Sequence, residues 1–161
     1  MEYTFFWKSK LSQWAFSSFK DEVGIKYTHA EQYMMYQKAL LFGDKETAEF
    51  ILKEDDPSEQ QKLGRNIKNF NQNLWDKSKT DIVYRGNYLK YTQNPELKKM
   101  LFNTGDTTLV EASPYDKIWG VGLGADNTLI KDPKNWRGQN LLGYTLTKVR
   151  DDLRKVDDGK N

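Results

Sequence analysis

The chain has 161 residues, which is enough for one domain with a hydrophobic core and too short for two of ordinary size. Its 25 basic and 23 acidic residues leave a formal net charge of +2, so the composition does not indicate the basic field of a general nucleic-acid binder. The absence of cysteine excludes disulfides, thiolate zinc sites and cysteine nucleophiles, and a single histidine, His29, argues against histidine-ligated metal centres.

We therefore expect neither a metal nor a cofactor. No segment approaches the length of a membrane-spanning helix, and the first residues lack the architecture of a signal peptide. The expectation is an intracellular, cytoplasmic monomer without a membrane partner, for which a nuclear location stays open.

The N-terminal segment is rich in strand-forming and aromatic residues. This pattern predicts a short strand over Met1–Trp7 and a second strand over Val23–Tyr27, and the two are interpreted as a hairpin. The aromatic segment between them, Leu11–Phe19, is interpreted as a loop that folds onto the core.

The next segment, Tyr27–Asp44, predicts a helix that is buried on most sides. Thr28 and Glu31 have the spacing of a capping box, and Gly43 is the usual residue of the left-handed turn that ends a helix. Apolar side chains between these ends are distributed around the whole circumference, which is typical of an enclosed helix. His29, in the first turn, is expected to be exposed.

Two charged residues interrupt this apolar helix. Glu31 and Lys38 are seven residues apart, so two turns place them on nearly the same face, about 10 Å apart along the axis. Burial would lower the pKa of the lysine and supply a neutral amine, which indicates a site. The alternatives are a helix cap for Glu31 and a lysine whose ammonium reaches solvent for Lys38.

Helix-start and helix-stop signals predict four further helices. The first runs over Lys45–Lys53, and the second from Pro57 past the interior glycine Gly64. The third runs from Thr80 or Asp81 through Tyr91, and the fourth from Pro95 to about Asn103. The residues between the second and third of these, Phe70–Trp75, are interpreted as a connection. An interior glycine costs about 1 kcal/mol unless another group must approach closely.

The last third of the chain differs in its sequence pattern from the helical segments before it. Thr108–Ala112 is predicted to be a strand, and the alternating glycines Gly120, Gly122 and Gly124 after Trp119 predict a loop whose backbone can lie against a ligand. The glycine spacing is not that of a dinucleotide-binding motif. A final helix continues through Val149, and residues 151–161 are interpreted as a charged, frayed tail.

Six helical patterns and three or four short strands predict a single, mostly helical α+β domain. We place this domain at residues 1–155 and a charged C-terminal tail at residues 156–161.

Motifs along almost the whole chain resemble the NADAR (NAD and ADP-ribose related) family, also called YbiA-like. The most specific is Glu111–Gly122, with the sequence EASPYDKIWGVG. Weaker matches support it: Ser17–Phe19, Thr28–Ala39, Leu63–Arg65, Trp75, Arg85, Thr104–Asp106, Trp136–Gly143 and Arg150. One departure is Ser18, which is shorter than the asparagine that the family commonly has at this position.

The resemblance implies a YbiA-like fold and N-glycosidase activity. We expect removal of ADP-ribose from ADP-ribosylated guanine in DNA, RNA or a nucleoside. One alternative is hydrolysis of the ribosylamino-pyrimidine phosphates of riboflavin biosynthesis, and another is a non-catalytic module that binds ADP-ribose. In the family a lysine has been proposed to form a Schiff base with the opened ribose, and its counterpart here is Lys38.

The chemistry of N-glycoside cleavage assigns candidate roles to the matching residues. Glu31 would stabilise an oxocarbenium-like state or move a proton, and Asp116 is a second acid candidate whose alternative is a turn after Pro114. Expected substrate contacts come from Ser18, Phe19, Arg65, Trp75, Arg85, Glu111, Ser113, Trp119, Gly120, Gly122 and Asn140. Core packing is the alternative for both tryptophans, and surface pairing for both arginines.

Overall fold

The computed structural model describes residues 2–159, and within them the chain forms six α-helices and four short β-strands. These elements fall into two compact units. The central unit is Gln13–Asn94 and contains β2 (Phe16–Lys20), β3 (Lys26–His29), α1 (Ala30–Leu41), α2 (Lys45–Lys53), α3 (Pro57–Arg65) and α4 (Gln72–Gln93). The terminal unit takes the chain up to Ser12 and from Pro95 onward, and contains β1 (Tyr3–Phe6), α5 (Pro95–Phe102), β4 (Thr108–Glu111) and α6 (Leu141–Gly159).

Helix α1 forms the middle of the central unit, where α2, α3 and α4 all pack against it. Eight of its twelve residues are buried, which confirms the prediction of an enclosed helix. Two glycines allow the close packing, because a Cβ at Gly64 of α3 would overlap the Met35 side chain and one at Gly86 of α4 would meet the Tyr33 ring. The interior glycine of α3 is thus explained by the approach of Met35.

The start of α1 differs from the predicted capping box. His29 occupies the N-cap without a capping side-chain bond, and the backbone N–H of Glu31 donates to the carbonyl of Gln13 at 3.1 Å. The Thr28 hydroxyl instead donates to the side-chain oxygen of Gln32 at 3.2 Å. The other end follows the prediction, since Gly43 has a left-handed φ of 73°.

Strands β2 and β3 pair antiparallel beside α1. Phe19 and Tyr27, which are partners across the two strands, stack with ring centroids 5.4 Å apart, and both rings contact Tyr33 of α1. The predicted loop over Leu11–Phe19 therefore contains a strand, and the predicted hairpin partner of the first strand pairs with β2 instead.

In the terminal unit, β1 pairs parallel with β4, with Tyr3 opposite Thr108. The opposite edge of β4 is completed by side chains rather than by a strand. Asn140 donates from Nδ2 to the Leu109 carbonyl and accepts from the Glu111 N–H, while the Thr147 hydroxyl accepts from the Leu109 N–H. These bonds satisfy backbone groups that would otherwise be buried without partners.

Two helix boundaries correct the sequence interpretation. Helix α4 begins at Gln72 with Asn71 as its N-cap, so most of the predicted connection Phe70–Trp75 is helical. Helix α6 extends to Gly159, so the expected fraying from Asp151 is wrong for residues 151–159. Position 1 of the predicted first strand and positions 160 and 161 of the predicted tail lie outside the described residues.

Candidate active site

The Lys38 ammonium lies near the aromatic rings of Phe70 and Trp75 in the central unit. Its Nζ donates to the carbonyl of Gly64 at 3.0 Å. The same nitrogen is 5.0 Å from the ring centroid of Phe70 and 5.2 Å from that of Trp75. The side chain is half-buried, so the nitrogen is held by protein groups rather than extended into bulk water.

Three helices position the Lys38 amine and the groups around it. Lys38 lies in the last turn of α1, and Gly64 lies in the last turn of α3, where backbone carbonyls lack partners within the helix. A cation is favourable at such a helix end. Trp75 lies in the first turn of α4, and Phe70 directly precedes the Asn71 N-cap and contacts Phe42 at 5.2 Å.

Burial lowers the pKa of the Lys38 ammonium from its ordinary value, and this desolvation is the largest influence. The negative charge of Glu31 partly raises the pKa again, whereas the positive charge of Arg65 lowers it further. A lowered pKa increases the fraction of neutral amine near neutral pH, which is the nucleophilic form.

The structure therefore brings together four of the predicted residues: Lys38, Glu31, Arg65 and Trp75. Glu31 is only 3% exposed, in the first turn of α1, while Arg65 is exposed at the end of α3. Trp75 is 8% exposed, as the packing alternative expects, and the Lys38 Nζ lies over its ring.

Three other predicted residues of the central unit have different surroundings. Arg85 is exposed and lines a cleft of about 410 Å³ between α1 and α4, together with Gln37, Lys77 and Ser78. Ser18 is exposed on β2. Phe19 is only 2% exposed and packs within the aromatic cluster, and its expected substrate contact stays a prediction.

In the terminal unit, the segment after β4 is ordered by two side chains. The buried Ser113 hydroxyl accepts from the N–H groups of Tyr115 and Asp116 at 3.2 and 3.0 Å. Asp116 Oδ1 then accepts from the N–H groups of Ile118 and Trp119 at 2.9 and 2.8 Å. The turn alternative for Asp116 therefore describes one of its two carboxylate oxygens. The Ser113 hydroxyl oxygen stabilises the same turn as an acceptor, and its expected substrate contact stays a prediction.

The glycines of this segment have a packing explanation. A Cβ at Gly120 would stand 2.9 Å from the Glu111 carbonyl oxygen, and one at Gly122 would stand 3.1 Å from the Arg137 Cβ. Gly122 also has a left-handed φ of 71°. The loop needs these glycines to fold on itself, so a ligand is not required to explain them. Trp119 is half-buried in the same segment.

Asn140 holds the end of β4. It is fully buried, has a left-handed φ of 55°, and uses both ends of its amide on the backbone of Leu109 and Glu111. The amide therefore positions the strand end that carries Glu111, and the expected substrate contact of Asn140 stays a prediction. Glu111 itself is half-buried at the last position of β4.

Comparison with known proteins identifies the family. A family model described as the NADAR domain matches residues 5–154. The chain belongs to the NADAR family. N-glycosidase R617 of Acanthamoeba polyphaga mimivirus is 48% identical to this NADAR chain over 145 residues, which cover 88% of this chain and 85% of that protein.

Two further matches concern the fold and a shorter region. The NMR structure of the E. coli protein YbiA superposes with a TM-score of 0.79 at 24% identity, covering 97% of this chain and 87% of that one. This likeness confirms the predicted YbiA-like α+β fold. The chloroplastic riboflavin biosynthesis protein PYRR of Zea mays is 34% identical over 79 residues, which cover 49% of this NADAR chain but only 11% of that protein.

No helix within residues 2–159 of the NADAR chain combines the length and apolar character that a membrane span requires.

Sequence reasoning missed a second lysine of the NADAR chain, Lys90 in α4. It is fully buried, and its burial lowers the pKa of the ammonium from 10.5 to about 7. Its positive charge adds to the burial that lowers the pKa of His29, which is 7% exposed rather than exposed as predicted. The apolar neighbours Val83, Gly86 and Tyr91 on α4 were the available signal for an enclosed helix face.

We expect Lys90→Met to remove a pH dependence of stability. Between pH 7 and 10.5 the unfolded chain binds a proton at Lys90 that the folded chain has lost, so stability rises with pH. One proton corresponds to a slope of at most about 1.4 kcal/mol per pH unit. Urea unfolding at pH 7, 8 and 9 measures this slope, and Lys45→Met, at an exposed position, is the control. Equal slopes in wild type and Lys90→Met would contradict the prediction.

Proposed function

We propose that this NADAR protein is an N-glycosidase that hydrolyses the bond between a ribose and a nucleobase, with Lys38 as the nucleophile. The observation that carries the proposal is the Lys38 amine between Phe70 and Trp75, with its pKa lowered by burial and a buried carboxylate, Glu31, on the same helix. The family membership and the N-glycosidase name of the mimivirus relative support the same reaction type.

The reaction needs a nucleophile at C1 of the ribose and a proton for the departing base. As the C1–N bond breaks, positive charge develops on the sugar, which a carboxylate such as Glu31 stabilises. The neutral Lys38 amine forms a bond to C1 as the bond from C1 to the base breaks, and the attached nitrogen then gives up one proton, which Glu31 carries to the departing base. The second proton of this nitrogen moves to the ring oxygen as the ring opens, which leaves an imine. Water then adds to the imine and releases the free sugar and the lysine.

An ADP-ribosylated guanine is the substrate that we propose first. Arg65 is a cation beside Lys38 that suits a pyrophosphate, since guanidinium groups bind phosphate oxygens in pairs. Arg85 lines a 410 Å³ cleft between α1 and α4, the helices that also carry Lys38 and Trp75. The lining of this cleft does not include Lys38 or Trp75, so its role as an extension of the site is part of the proposal. In that role, a second cation favours a substrate larger than a monophosphate.

Two other functions remain alternatives. The similarity to maize PYRR favours hydrolysis of a ribosylamino-pyrimidine phosphate of riboflavin biosynthesis, although it covers half of this chain. A non-catalytic ADP-ribose module would bind the ligand without requiring the Lys38 amine. The roles predicted in the terminal unit, with Asp116 as a second acid and Glu111, Trp119, Gly120 and Gly122 as substrate contacts, stay predictions.

Incubation with each candidate substrate distinguishes these functions. The protein is mixed separately with ADP-ribosylated guanosine and with the ribosylamino-pyrimidine phosphate, and chromatography measures the released base. We expect release of guanosine together with ADP-ribose, at a rate that exceeds release from the pyrimidine substrate. Faster release of the pyrimidine would support the riboflavin alternative. Binding of ADP-ribose without release from either substrate would support the non-catalytic module and contradict the enzyme.

A further inference from the structure

Two exposed aromatic rings lie side by side in the terminal unit. Trp7 directly follows β1, and Tyr115 lies in the segment after β4, the strand that pairs parallel with β1. Their ring centroids are 6.1 Å apart, with an angle of 57° between the planes. Tyr115 is 81% exposed and Trp7 is 38% exposed, so the pair presents its surfaces to solvent rather than to the core.

Lys8 lies over the Trp7 ring and has an unusual backbone conformation. Lys8 has a φ of 54°, in the left-handed region that residues other than glycine seldom adopt. The Lys8 Nζ lies 4.4 Å from the centroid of the Trp7 ring. The following turn is closed by the Ser12 N–H, which donates to the Ser9 carbonyl at 3.0 Å. Such conformations cost free energy and are concentrated at functional sites.

The tyrosine is also held in place before any ligand binds. Its N–H donates to the buried Ser113 hydroxyl, and Pro114 restricts the intervening backbone. An ordered loop loses little conformational entropy when a ligand stacks on it. The backbone that carries the exposed ring is therefore ordered before a ligand binds.

The surrounding charges indicate the kind of ligand. Lys8, Lys10 and Lys117 are exposed in the two segments that carry the rings, and the carboxylate of the nearby Asp116 accepts two backbone N–H groups. Aromatic rings that alternate with cations match a strand of stacked bases and phosphates. A protein partner is less well matched, because a stable interface needs about 800 Å² on each side, above the roughly 300–500 Å² that two aromatic side chains bury.

We propose that Trp7 and Tyr115 form a stacking platform for single-stranded nucleic acid, with Lys8 and Lys117 contacting its phosphates. The inference rests on the proposed function in one respect, since it assigns the modified base to a strand rather than to a free nucleoside. Binding of an unmodified strand requires no glycosidic chemistry, so its failure and the failure of the enzyme proposal are distinguishable.

Fluorescence anisotropy with labelled 15-nucleotide strands of thymidine and of uridine tests the platform at low salt. We expect wild type to bind both strands, because stacking and phosphate contacts do not read the 2′-hydroxyl. Tyr115→Ala should weaken binding about tenfold, the size of one lost stacking contact. Tyr115→Phe, which keeps the ring, should bind like wild type. Lys8→Ala should reduce the dependence of affinity on salt concentration.

Tyr144→Ala is the matched control, since Tyr144 is 49% exposed on α6 of the same unit and is not part of the platform. Binding by this variant should equal that of wild type. Circular dichroism and thermal melting establish that each variant is folded. The proposal is overturned if wild type binds neither strand, or if Tyr115→Ala and Tyr144→Ala bind equally well. Binding restricted to one of the two strands with the same tyrosine dependence supports the platform and identifies the type of strand.

Discussion

Replacing Lys38 with arginine is expected to reduce base release by at least roughly 1,000-fold in kcat while the protein stays folded and binds its substrate. An arginine can still donate to the Gly64 carbonyl and lie between the rings of Phe70 and Trp75. It stays protonated at all working pH values, however, and its guanidinium does not form an imine with an aldehyde. The variant therefore separates the nucleophilic role of the amine from its positive charge.

Single-turnover release of the base measures the loss, and reduction with borohydride in the presence of substrate traps the imine for mass spectrometry. Lys79→Arg is the matched control, because Lys79 is also a mostly buried lysine, paired at 2.9 Å with Asp76 on α4. The control should retain turnover. Full activity in Lys38→Arg would contradict the nucleophilic role. Activity in wild type without a trapped adduct would contradict the imine while leaving hydrolysis intact.

The sequence predicts the core of the candidate site because that core is encoded locally. Apolar residues all round the Tyr27–Asp44 segment indicate an enclosed helix, and the spacing of Glu31 and Lys38 places both on it. Gly64 is similarly informative, because an interior helix glycine indicates a close neighbour. The neighbour itself, Met35, comes from another helix and is not visible in the sequence.

The aromatic part of the site depends on where α4 begins. The sequence pattern predicts a start at Thr80 or Asp81, whereas the helix begins at Gln72. Phe70 and Trp75 flank the start of α4, where the side chain of Asn71 accepts from the N–H of Leu74. Asn is a preferred N-cap residue, so this signal was present in the sequence. The cap residue alone does not predict the start of the helix, because the segment before Thr80 lacks a clear apolar periodicity.

Strand pairing and the role of the loop glycines were less predictable. The strand partner of Tyr3 is Thr108, and nothing in a short strand specifies so distant a partner over a nearer one. Glycines in a loop are equally compatible with an approaching ligand and with an approaching backbone. At Gly120 the neighbours are carbonyls of Glu111 and Asp116, so tertiary packing determines the residue.

Gly143→Ala is expected to destabilise the protein by about 3 kcal/mol, the range for forcing an extra group into a tightly packed site. Gly143 lies in the first turn of α6, directly against β4. An added Cβ would overlap the Leu109 carbonyl oxygen and the amide of Asn140, two groups already joined by a 3.0 Å hydrogen bond. Because a carbonyl oxygen belongs to the backbone, it cannot rotate away as a flexible side chain would.

Gly159→Ala is the control at the other end of the same helix, where no atom lies within 4 Å of the added Cβ. Alanine favours a helix over glycine by about 1 kcal/mol, so this variant should be as stable as wild type or slightly more stable. Urea unfolding of the three proteins measures the difference. Equal stability of the two variants would show that α6 can move away from β4 at little cost, and would contradict the role of Asn140 in fixing the strand end that carries Glu111.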